Sequence, residues 1–406
     1  MRVCVVGSGG REHALAVALA RTADVVVTPG NPGIPGSVAT PAEELDADLF
    51  VIGPEVPLVE GLADRLRARG ALVFGPGGDG ARLEASKAWM KDVLVAAGLA
   101  TAAHRSFGAA ELDAAVAYLR TLPGMYVVKT DGLAAGKGVL VTDSLTEAED
   151  DVRAKLSGAS FGDAGRRVVI EEGMTGPEVS LLCLCDGRRA VPLASAQDYK
   201  RLGDGDEGPN TGGMGAYSPV PAVDAAEAER LTERLVARTL HELQRRGIDY
   251  RGVLYAGLML TPDGPKVLEY NVRFGDPETQ VVLPRWTGDV TEMLTACASG
   301  SLNMQPTFSG DAAVTVVCAS EGYPLAPRTG DRIQGLDAAS ARPGVEVFCA
   351  GVAAADDGAL VTAGGRVLNV TALGPTVAEA RARAYAAVAD LSWPGMQART
   401  DVASGV

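Results

Sequence analysis

The first 75 residues alternate between short apolar runs and longer amphipathic segments, and this alternation limits the folds open to the N-terminal part of the chain. Apolar runs of strand length occupy residues 3–6, 25–27, 49–52 and 71–74, and helical periodicity marks residues 11–20 and 58–68. Strands that alternate with helices are joined by crossovers and pair in parallel. The sequence therefore predicts an N-terminal domain built on a parallel sheet.

The middle of the chain predicts a different organisation. Residues 81–97 predict one amphipathic helix, and residues 104–170 predict a small α+β unit. Residues 178–300 contain further strands and a long helix at 224–246. The polar, glycine-rich connection at 205–215 is too long for an inert turn, so we interpret it as a functional loop.

A fresh strand at residues 312–319 begins a third region. More strands follow, and residues 376–390 have the pattern of a helix. We interpret this part of the chain as a separate C-terminal domain, which agrees with the two to four domains expected for 406 residues.

Composition limits the kinds of partner. The net charge of −14 repels nucleic acid phosphates, and no local basic patch offsets it. No apolar run is long enough to cross a bilayer, and the N-terminus reads as a strand rather than a signal peptide. The cysteines form no Cys-x-x-Cys pair and mostly lie in apolar contexts, which predicts buried thiols in a cytoplasmic protein. They stand at positions 4, 183, 185, 297, 318 and 349.

The most informative stretch for chemistry is residues 265–280, PKVLEYNVRFGDPETQ. In an extended segment, the period of two puts Glu269, Asn271 and Arg273 on one face. A carboxylate and an amide oxygen suit Mg²⁺, which completes its shell with phosphates and waters. The guanidinium is placed to hold a carboxylate or a phosphoryl oxygen. A solvated strand edge closed by a turn is the alternative interpretation.

Residues 129–139, KTDGLAAGKGV, have the composition of a phosphate-binding loop. The segment contains Lys129, Gly132, Gly136, Lys137 and Gly138. Glycines let backbone amides approach an anion closely, and the lysines supply charge. The spacing is not that of a Walker A loop, and strands flank it on both sides, so a glycine-rich lid fits better. The alternative is a flexible hairpin.

A glycine-rich turn also joins the first strand to the first helix, at residues 7–13, GSGGREH. The start of a helix attracts anions through its free amides and its dipole, and Arg11 and His13 lie close by in the chain. A dinucleotide fingerprint needs a third glycine where Glu12 stands, so a phosphomonoester is favoured over NAD. A plain tight turn remains the alternative.

Taken together, these segments resemble the ATP-grasp superfamily and, more narrowly, the phosphoribosylamine–glycine ligase family. The resemblance runs nearly end to end and keeps its order. Its motifs are GSGGREHAL (7–15), PGNPG (29–33), SKAWMKD (86–92), DGLAAGKGV (131–139), QDYKRLGDGDEGPNTGGMGAYSP (197–219), LEYNVRFGDPETQ (268–280) and, more weakly, GYPLAPRTGDRIQGL (322–336). The chain departs from the family at Tyr199, where His is common, and at Thr130, where Ala is common; the first departure puts a ligand role for that side chain in doubt.

The resemblance implies a multidomain α/β and α+β fold. A Rossmann-like parallel-sheet domain would span residues 1–84, an ATP-grasp domain residues 85–310 with its lid at about 104–170, and a mixed α/β domain residues 311–406. It implies ATP and Mg²⁺ or Mn²⁺ as cofactors, with the metal on Glu269 and Asn271.

The resemblance also implies roles for individual residues. Adenine would lie at Glu171 and Glu172, and the ribose at Glu178. The nucleotide phosphates would be bound by Lys87, Lys129, Gly132, Gly136, Lys137 and Gly138. The catalytic residues would be Lys137, Arg273 and Asp276. The two other substrates would be held by Gly7, Gly9, Gly10, Arg11, Glu12, Asp198, Lys200, Asn210, Gly213, Arg273, Asp276 and Glu278.

The reaction implied is ATP-dependent ligation of glycine to 5-phosphoribosylamine, by a cytoplasmic monomer or weak homo-oligomer. Three alternatives stay open on the sequence. Another ATP-grasp enzyme, including one of the biotin carboxylase type, shares the Glu-x-Asn-x-Arg motif. An NAD-dependent oxidoreductase shares Gly7-x-Gly9. A non-catalytic nucleotide-binding module would share the lid.

Overall fold

The computed structural model describes residues 1–133, 138–158, 160 and 166–406. The N-terminal part is the predicted parallel sheet, with strand order β2-β1-β3-β4. Its elements are β1 (Arg2–Gly7), α1 (Gly10–Leu19), β2 (Asp24–Pro29), β3 (Leu49–Ile52), α2 (Glu55–Val59), α3 (Leu62–Ala68) and β4 (Val73–Phe74). The short runs of valine, leucine and isoleucine in β1 and β3 are buried on both faces, as expected for a covered parallel sheet.

The predicted helix at residues 81–97 is wrong in one respect, because the structure divides it into α4 (Gly78–Ala85) and α5 (Lys87–Ala96). Ser86 between them is extended, and its hydroxyl accepts a hydrogen bond from the amide of Trp89. A serine that caps a new helix ends the previous one. The break puts Lys87 at the first position of α5 instead of mid-helix.

The lid sheet is antiparallel, with order β5-β8-β6-β7. Its elements are β5 (His104–Gly108), α6 (Leu112–Leu119), β6 (Tyr126–Thr130), β7 (Val139–Thr142), α7 (Leu145–Leu156) and β8 (Arg167–Glu172). The two helices pack on this sheet around a separate small core that includes Phe107, Val128 and Ile170. The predicted α+β unit at residues 104–170 is therefore confirmed. Gly136 and Lys137 lie outside the described residues.

Residues 178–299 supply the core sheet, β10-β9-β15-β16, and several shorter strands. The elements are β9 (Glu178–Asp186), β10 (Ala190–Pro192), β11 (Gln197–Asp198), β12 (Arg201–Gly203), β13 (Glu207–Asn210), β14 (Gly215–Ser218), α8 (Ala225–Leu231), α9 (Ala237–Arg245), β15 (Arg251–Thr261), β16 (Gly264–Asn271), α10 (Thr279–Val282) and α11 (Val290–Ser299). A π-helical turn, Thr232–Val236, joins α8 to α9. The connection at 205–215 is not a plain loop, because β12 and β13 form an antiparallel ribbon that uses its first half.

The C-terminal part adds β17 (Ala312–Ala319), α12 (Leu336–Ser340), β18 (Val345–Cys349), β19 (Val352–Ala354), β20 (Leu360–Thr362), β21 (Arg366–Gly374) and α13 (Val377–Val388). The C-terminal sheet has the order β11-β14-β17-β21-β18. Its strands β11 and β14 precede residue 310, so hydrogen bonds join the predicted second and third domains within one sheet. Among the described residues, no helix has both the length and the apolar character that crossing a membrane would require.

Candidate active site

A cavity of about 550 Å³ lies where the N-terminal part, the lid sheet, the core sheet and the C-terminal part meet. Its walls contain many of the residues predicted from the sequence: Arg11, Lys87, Gly132, Gly138, Asp198, Lys200, Glu269, Asn271, Arg273, Asp276 and Glu278. Motifs that are far apart in the chain therefore converge on one cavity.

The predicted metal pair lies at the end of β16. Glu269 and Asn271 both line the cavity, and the carboxylate of Glu269 accepts no hydrogen bond from the described residues. Burial would raise the pKa of Glu269, but the ammonium groups of Lys129 and Lys200 hold it below its ordinary value. A free, ionised carboxylate beside an amide oxygen fits a hard cation. No group of three acidic, histidine or cysteine side chains suited to a metal occurs in the described ranges, so phosphates and waters would complete the shell.

Arg273 follows the strand and is held by two carboxylates that the sequence did not single out. Its Nη2 lies 2.8 Å from Oε1 of Glu84, and its Nε lies 3.3 Å from Oε2 of Glu55. Nη2 also donates to Oδ1 of Asn271 over 3.2 Å. Burial would lower the pKa of Arg273, but Glu84 and Glu55 raise it above its ordinary value. The guanidinium is thus fixed in orientation and permanently charged beside the metal pair.

Lys87 and Lys129, both predicted to bind the nucleotide phosphates, have different environments. Lys87 lines the cavity, and its Nζ donates to the backbone oxygen of Gly132 in the lid over 3.0 Å. Burial lowers the pKa of Lys87. Lys129 extends from β6, is buried, and pairs with Glu171 over 3.1 Å; unlike Lys87, it is not among the residues that line the cavity. Lys87 therefore joins the start of α5 to the glycine-rich segment.

The glutamates predicted to hold adenine and ribose are engaged by protein groups. The carboxylate of Glu171 is buried between Lys91 and Lys129 and does not line the cavity, so only backbone groups of this strand are left for the predicted place at adenine. Glu172 accepts from the amide of Ala103 over 2.9 Å. Because β8 lies inside the lid sheet, the alternation of its side chains directs Glu171 towards α5. Glu178 pairs with Lys200 over 2.7 Å.

A polar network occupies the floor of the cavity. The hydroxyl of Tyr255 donates to Oε1 of Glu278 over 2.5 Å, and Ser180 donates to the same oxygen over 3.1 Å. Lys200 lies 3.0 Å from Oδ1 of Asp198. Burial raises the pKa of Asp198 to about 6, and Lys200 opposes that rise. The network places the carboxylates of Asp198 and Glu278 and the ammonium group of Lys200 at the same cavity.

Arg366, at the start of β21 in the C-terminal sheet, forms part of one side of the cavity. The sequence analysis did not identify this residue. Its Nη2 lies 2.8 Å from Oδ2 of Asp276, and its Nη1 donates to the backbone oxygen of Gly212 over 2.5 Å. Gly213 has φ of 108° and packs against Pro277, a close approach that suits glycine. Asn210 differs from its prediction, because it pairs with Arg201 on the β12–β13 ribbon outside the cavity wall.

The N-terminal turn is closed from within by Glu12. Its Oε2 accepts from the amide of Gly9 over 2.6 Å, and its Oε1 lies 2.6 Å from Nε of Arg11. Glu12 is thus a structural acceptor outside the cavity wall, in contrast to the predicted contact with a substrate. Arg11 lines the cavity. Gly7 has φ of 130°, and a Cβ on Gly10 would lie 2.2 Å from Nδ2 of Asn369.

The sequence analysis did not predict several other cavity residues, and only some of them could have been recognised from the sequence. Glu55 follows the carboxyl end of β3, the edge at which parallel sheets bind ligands, so its position was a usable indication. Tyr323, whose hydroxyl accepts from the amide of Gly212 over 3.0 Å, and Arg366 come from a distant part of the chain. Tyr323 lies in the segment 322–336 that resembles the family, but nothing in the local sequence of Arg366 indicates that it reaches the cavity.

An antiparallel core sheet, a smaller antiparallel lid sheet and a metal-type carboxylate–amide pair between them define an ATP-grasp enzyme. Models of the N domain, the ATP-grasp (A) domain and the C domain of phosphoribosylglycinamide synthetase match residues 1–84, 85–279 and 313–405. The chain belongs to the phosphoribosylglycinamide synthetase family.

Curated relatives and solved structures agree with this membership. A phosphoribosylamine–glycine ligase of Streptomyces coelicolor is 49% identical, covering 100% of this chain and 99% of its own. The crystal structure of the phosphoribosylamine–glycine ligase of Thermotoga maritima matches with a TM-score of 0.87 and 37% identity, over 99% of this chain and 100% of the other. The biotin carboxylase domain of the Hydrogenobacter thermophilus 2-oxoglutarate carboxylase, at 15% identity over 98% of this chain and 91% of the other, shares the fold with a TM-score of 0.73.

Proposed function

We propose that this protein ligates glycine to 5-phosphoribosylamine with ATP, giving glycinamide ribonucleotide, ADP and phosphate in purine biosynthesis. The observation that carries this function is the convergence of Glu269, Asn271 and Arg273 with the lid and with Arg11 of the N-terminal turn on one cavity. A nucleotide, an acid and an amine must meet in such a reaction. The names of the full-length relatives support the same substrates.

In the first step, the glycine carboxylate attacks the γ-phosphorus of ATP, and ADP leaves. A carboxylate is a poor electrophile, and the resulting acyl phosphate has a good leaving group. The residues of the cavity would hold the reacting groups in position and supply positive charge near the phosphates. Lys87 and Lys129 would face the phosphates, together with Gly132 and Gly138; Gly136 and Lys137 lie outside the described residues. Arg273 would sit beside the acyl phosphate.

The metal, Mg²⁺ or Mn²⁺, would be held by Glu269 and Asn271. Bound there, it would neutralise charge on the phosphate oxygens. The free carboxylate of Glu269 and the amide oxygen of Asn271 support this site. Arg273, which is fixed by Glu84 and Glu55, would supply a second positive charge without changing its own position.

In the second step, the amine of 5-phosphoribosylamine attacks the acyl carbon, and inorganic phosphate leaves. The turn of Gly7, Gly9 and Gly10, with Arg11, is proposed to hold the phosphate of this substrate. Asp198, Lys200, Asp276 and Glu278 are proposed to hold glycine and the amine, and Gly213 to let the wall approach them. A free amine is a good nucleophile, so no general base is assigned.

We propose the same three-part division at residues 84 and 310, with the lid at about 104–170, although one sheet crosses the second boundary. The partners would be small molecules, without nucleic acid, which the net charge of −14 supports. All six cysteines are buried and free, which supports a reducing compartment, the cytoplasm. The protein is proposed to be a monomer or weak homo-oligomer.

The test is a coupled assay for ADP with glycine and freshly generated phosphoribosylamine omitted in turn. We expect steady ADP release only with both substrates present, together with glycinamide ribonucleotide in equal amount. Release of ADP with bicarbonate in place of glycine would instead indicate a carboxylase-type reaction, and absence of turnover with every substrate would indicate a binding module.

A further inference from the structure

A buried chain of charges lies behind the cavity, and the reaction proposed above does not use all of it. Lys91 on α5 is fully buried, and its Nζ lies 3.0 Å from Oε2 of Glu171. The other oxygen of Glu171, Oε1, lies 3.1 Å from Nζ of Lys129. One carboxylate thus stands between two ammonium groups, and it is 2% exposed.

Both ends of this chain reach the strand of the metal pair. Lys91 donates to the hydroxyl of Thr101 over 2.7 Å, and Thr101 donates to the backbone oxygen of Val267 over 2.6 Å. At the other end, Lys129 donates to the backbone oxygen of Leu268 over 3.4 Å. Val267 and Leu268 directly precede Glu269. The lid strand β6 is therefore linked directly to the backbone of β16, and β8 is linked to it through Lys91 of α5 and Thr101.

The charges in this cluster do not cancel. Lys91, Lys129 and Glu171 carry one excess positive charge when all are ionised, and the carboxylate of Glu269, which would hold the metal, attracts the same two lysines. Burial lowers the pKa of Lys91 to about 8, with Glu171 opposing the decrease. Burial would raise the pKa of Glu171, but Lys129 and Lys91 hold it below its ordinary value. The carboxylate is ionised and is shared between the two lysines.

We propose that Lys91 is a positioning residue that acts through Glu171 on the nucleotide phosphates. Because Lys91 pairs with one oxygen of Glu171, only the other oxygen is left for Lys129, and Glu171 neutralises Lys129 only in part. Without Lys91, the carboxylate would pair with Lys129 alone, and the cluster would have no net charge. The inference rests on the proposed contact of Lys129 with the phosphates, and its readout is nucleotide binding, which does not depend on which acid and amine are joined.

The experiment compares Lys91→Met with Lys91→Arg by calorimetry of ATP, ADP and adenosine. In Lys91→Met, we expect the Kd for ATP and for ADP to rise about tenfold, the size of one lost charged contact. The Kd for adenosine should stay within twofold, because adenosine carries no phosphate. Lys91→Arg keeps the charge and should keep ATP binding within about threefold.

The matched control is Lys155→Met. Lys155 on α7 is also fully buried; it pairs with Asp151 and donates to the backbone oxygen of Val128 over 3.2 Å, but it contacts neither Glu171 nor the ammonium group of Lys129. Its loss should lower the thermal unfolding temperature and leave the Kd for ATP unchanged. A structural effect of removing any buried ammonium group would instead affect both variants alike.

A double variant makes the proposal independent of the stability of Lys91→Met. Lys91→Met/Glu171→Gln removes one positive and one negative charge and leaves Lys129 with its full charge. We expect it to recover at least half of the lost binding free energy for ATP.

Equal weakening of ATP and adenosine binding in Lys91→Met, or a double variant as weak as the single one, would overturn the proposal. If Lys91→Met fails to fold, the comparison of the double variant with Lys91→Arg decides: a double variant that binds ATP tenfold more weakly than Lys91→Arg would also overturn it.

Discussion

Arg366 and Asp276 lie 90 positions apart in the chain and form an ion pair with 2.8 Å between Nη2 and Oδ2. The same guanidinium donates through Nη1 to the backbone oxygen of Asp276 over 2.8 Å and to that of Gly212 over 2.5 Å. One side chain of the C-terminal sheet therefore fixes two segments of the cavity wall.

Replacing Arg366 with Met should disturb the acid and amine substrates more than the nucleotide. We expect the KM for glycine or phosphoribosylamine to rise by on the order of tenfold or more, because Asp276 and Gly212 lose their common anchor. Stability should fall by roughly 3 kcal/mol, since a mostly buried carboxylate loses its partner. Steady-state kinetics, ATP calorimetry and urea unfolding measure these effects. Arg332→Met, which removes an exposed pair with Asp357, is the control and should be nearly neutral.

Glu269→Gln tests the metal pair. The change is isosteric and removes charge from an oxygen that no described residue uses. We expect turnover to fall by on the order of 100-fold or more at fixed Mg²⁺, as for loss of one electrostatic contact in the transition state. Asp263→Asn, an exposed change of the same charge in the hairpin that leads into β16, should leave turnover unchanged. Near-normal turnover of Glu269→Gln at saturating Mg²⁺ would contradict the assignment.

Gly9→Asp tests the N-terminal turn. A Cβ on Gly9 would lie 2.9 Å from Oε2 of Glu12 and 3.8 Å from Oδ2 of Asp276, so a new carboxylate would add negative charge where a phosphate is proposed to bind. We expect a large rise in the KM for phosphoribosylamine, with the Kd for ATP nearly unchanged.

Gly9→Ala separates bulk from charge in the same position. Its backbone is extended, with φ of −94°, so alanine fits the conformation and need only displace the end of the Glu12 side chain. The alanine variant should show a much smaller rise in KM than the aspartate variant. Loss of ATP binding in a folded Gly9→Asp protein would instead assign this turn to the nucleotide.

His13 should make the fold sensitive to mild acid. Burial lowers the pKa of His13 to about 4, and its Nδ1 accepts from the amide of Cys349 over 2.8 Å. The unfolded chain has the ordinary pKa of about 6.5, so between these values it binds more protons than the folded state. The free energy of unfolding should therefore fall as pH falls from about 6.5 to about 4, by about 3 kcal/mol from this group.

His13→Asn keeps an acceptor for the Cys349 amide but does not titrate. Urea unfolding at several pH values should show that the variant lacks the part of the acid destabilisation due to His13. His241→Asn, at an exposed histidine, should follow the parent protein throughout. If His13→Asn and the parent lose stability equally between pH 6.5 and 4, His13 is not the group that titrates.

The alternation of residues 1–75 was sufficient to predict the parallel N-terminal sheet, because strand and helix periodicity are local properties of the chain. The same holds for the lid strands, for the start of β17 and for the Glu-x-Asn-x-Arg spacing. The break at Ser86 was less predictable, because both sides of it are good helices and a single capping hydroxyl decides between one helix and two.

The sequence by itself determined the elements, the family resemblance and the set of charged residues available for chemistry. Only the tertiary structure decided which charges meet. Glu171 pairs with Lys91 and Lys129, Glu12 closes its own turn, and Arg366 reaches Asp276. Local periodicity fixes which side of a strand or helix a residue occupies, but the partner on that side comes from another element. Such pairs depend on how the sheets pack together, which no short stretch of sequence encodes.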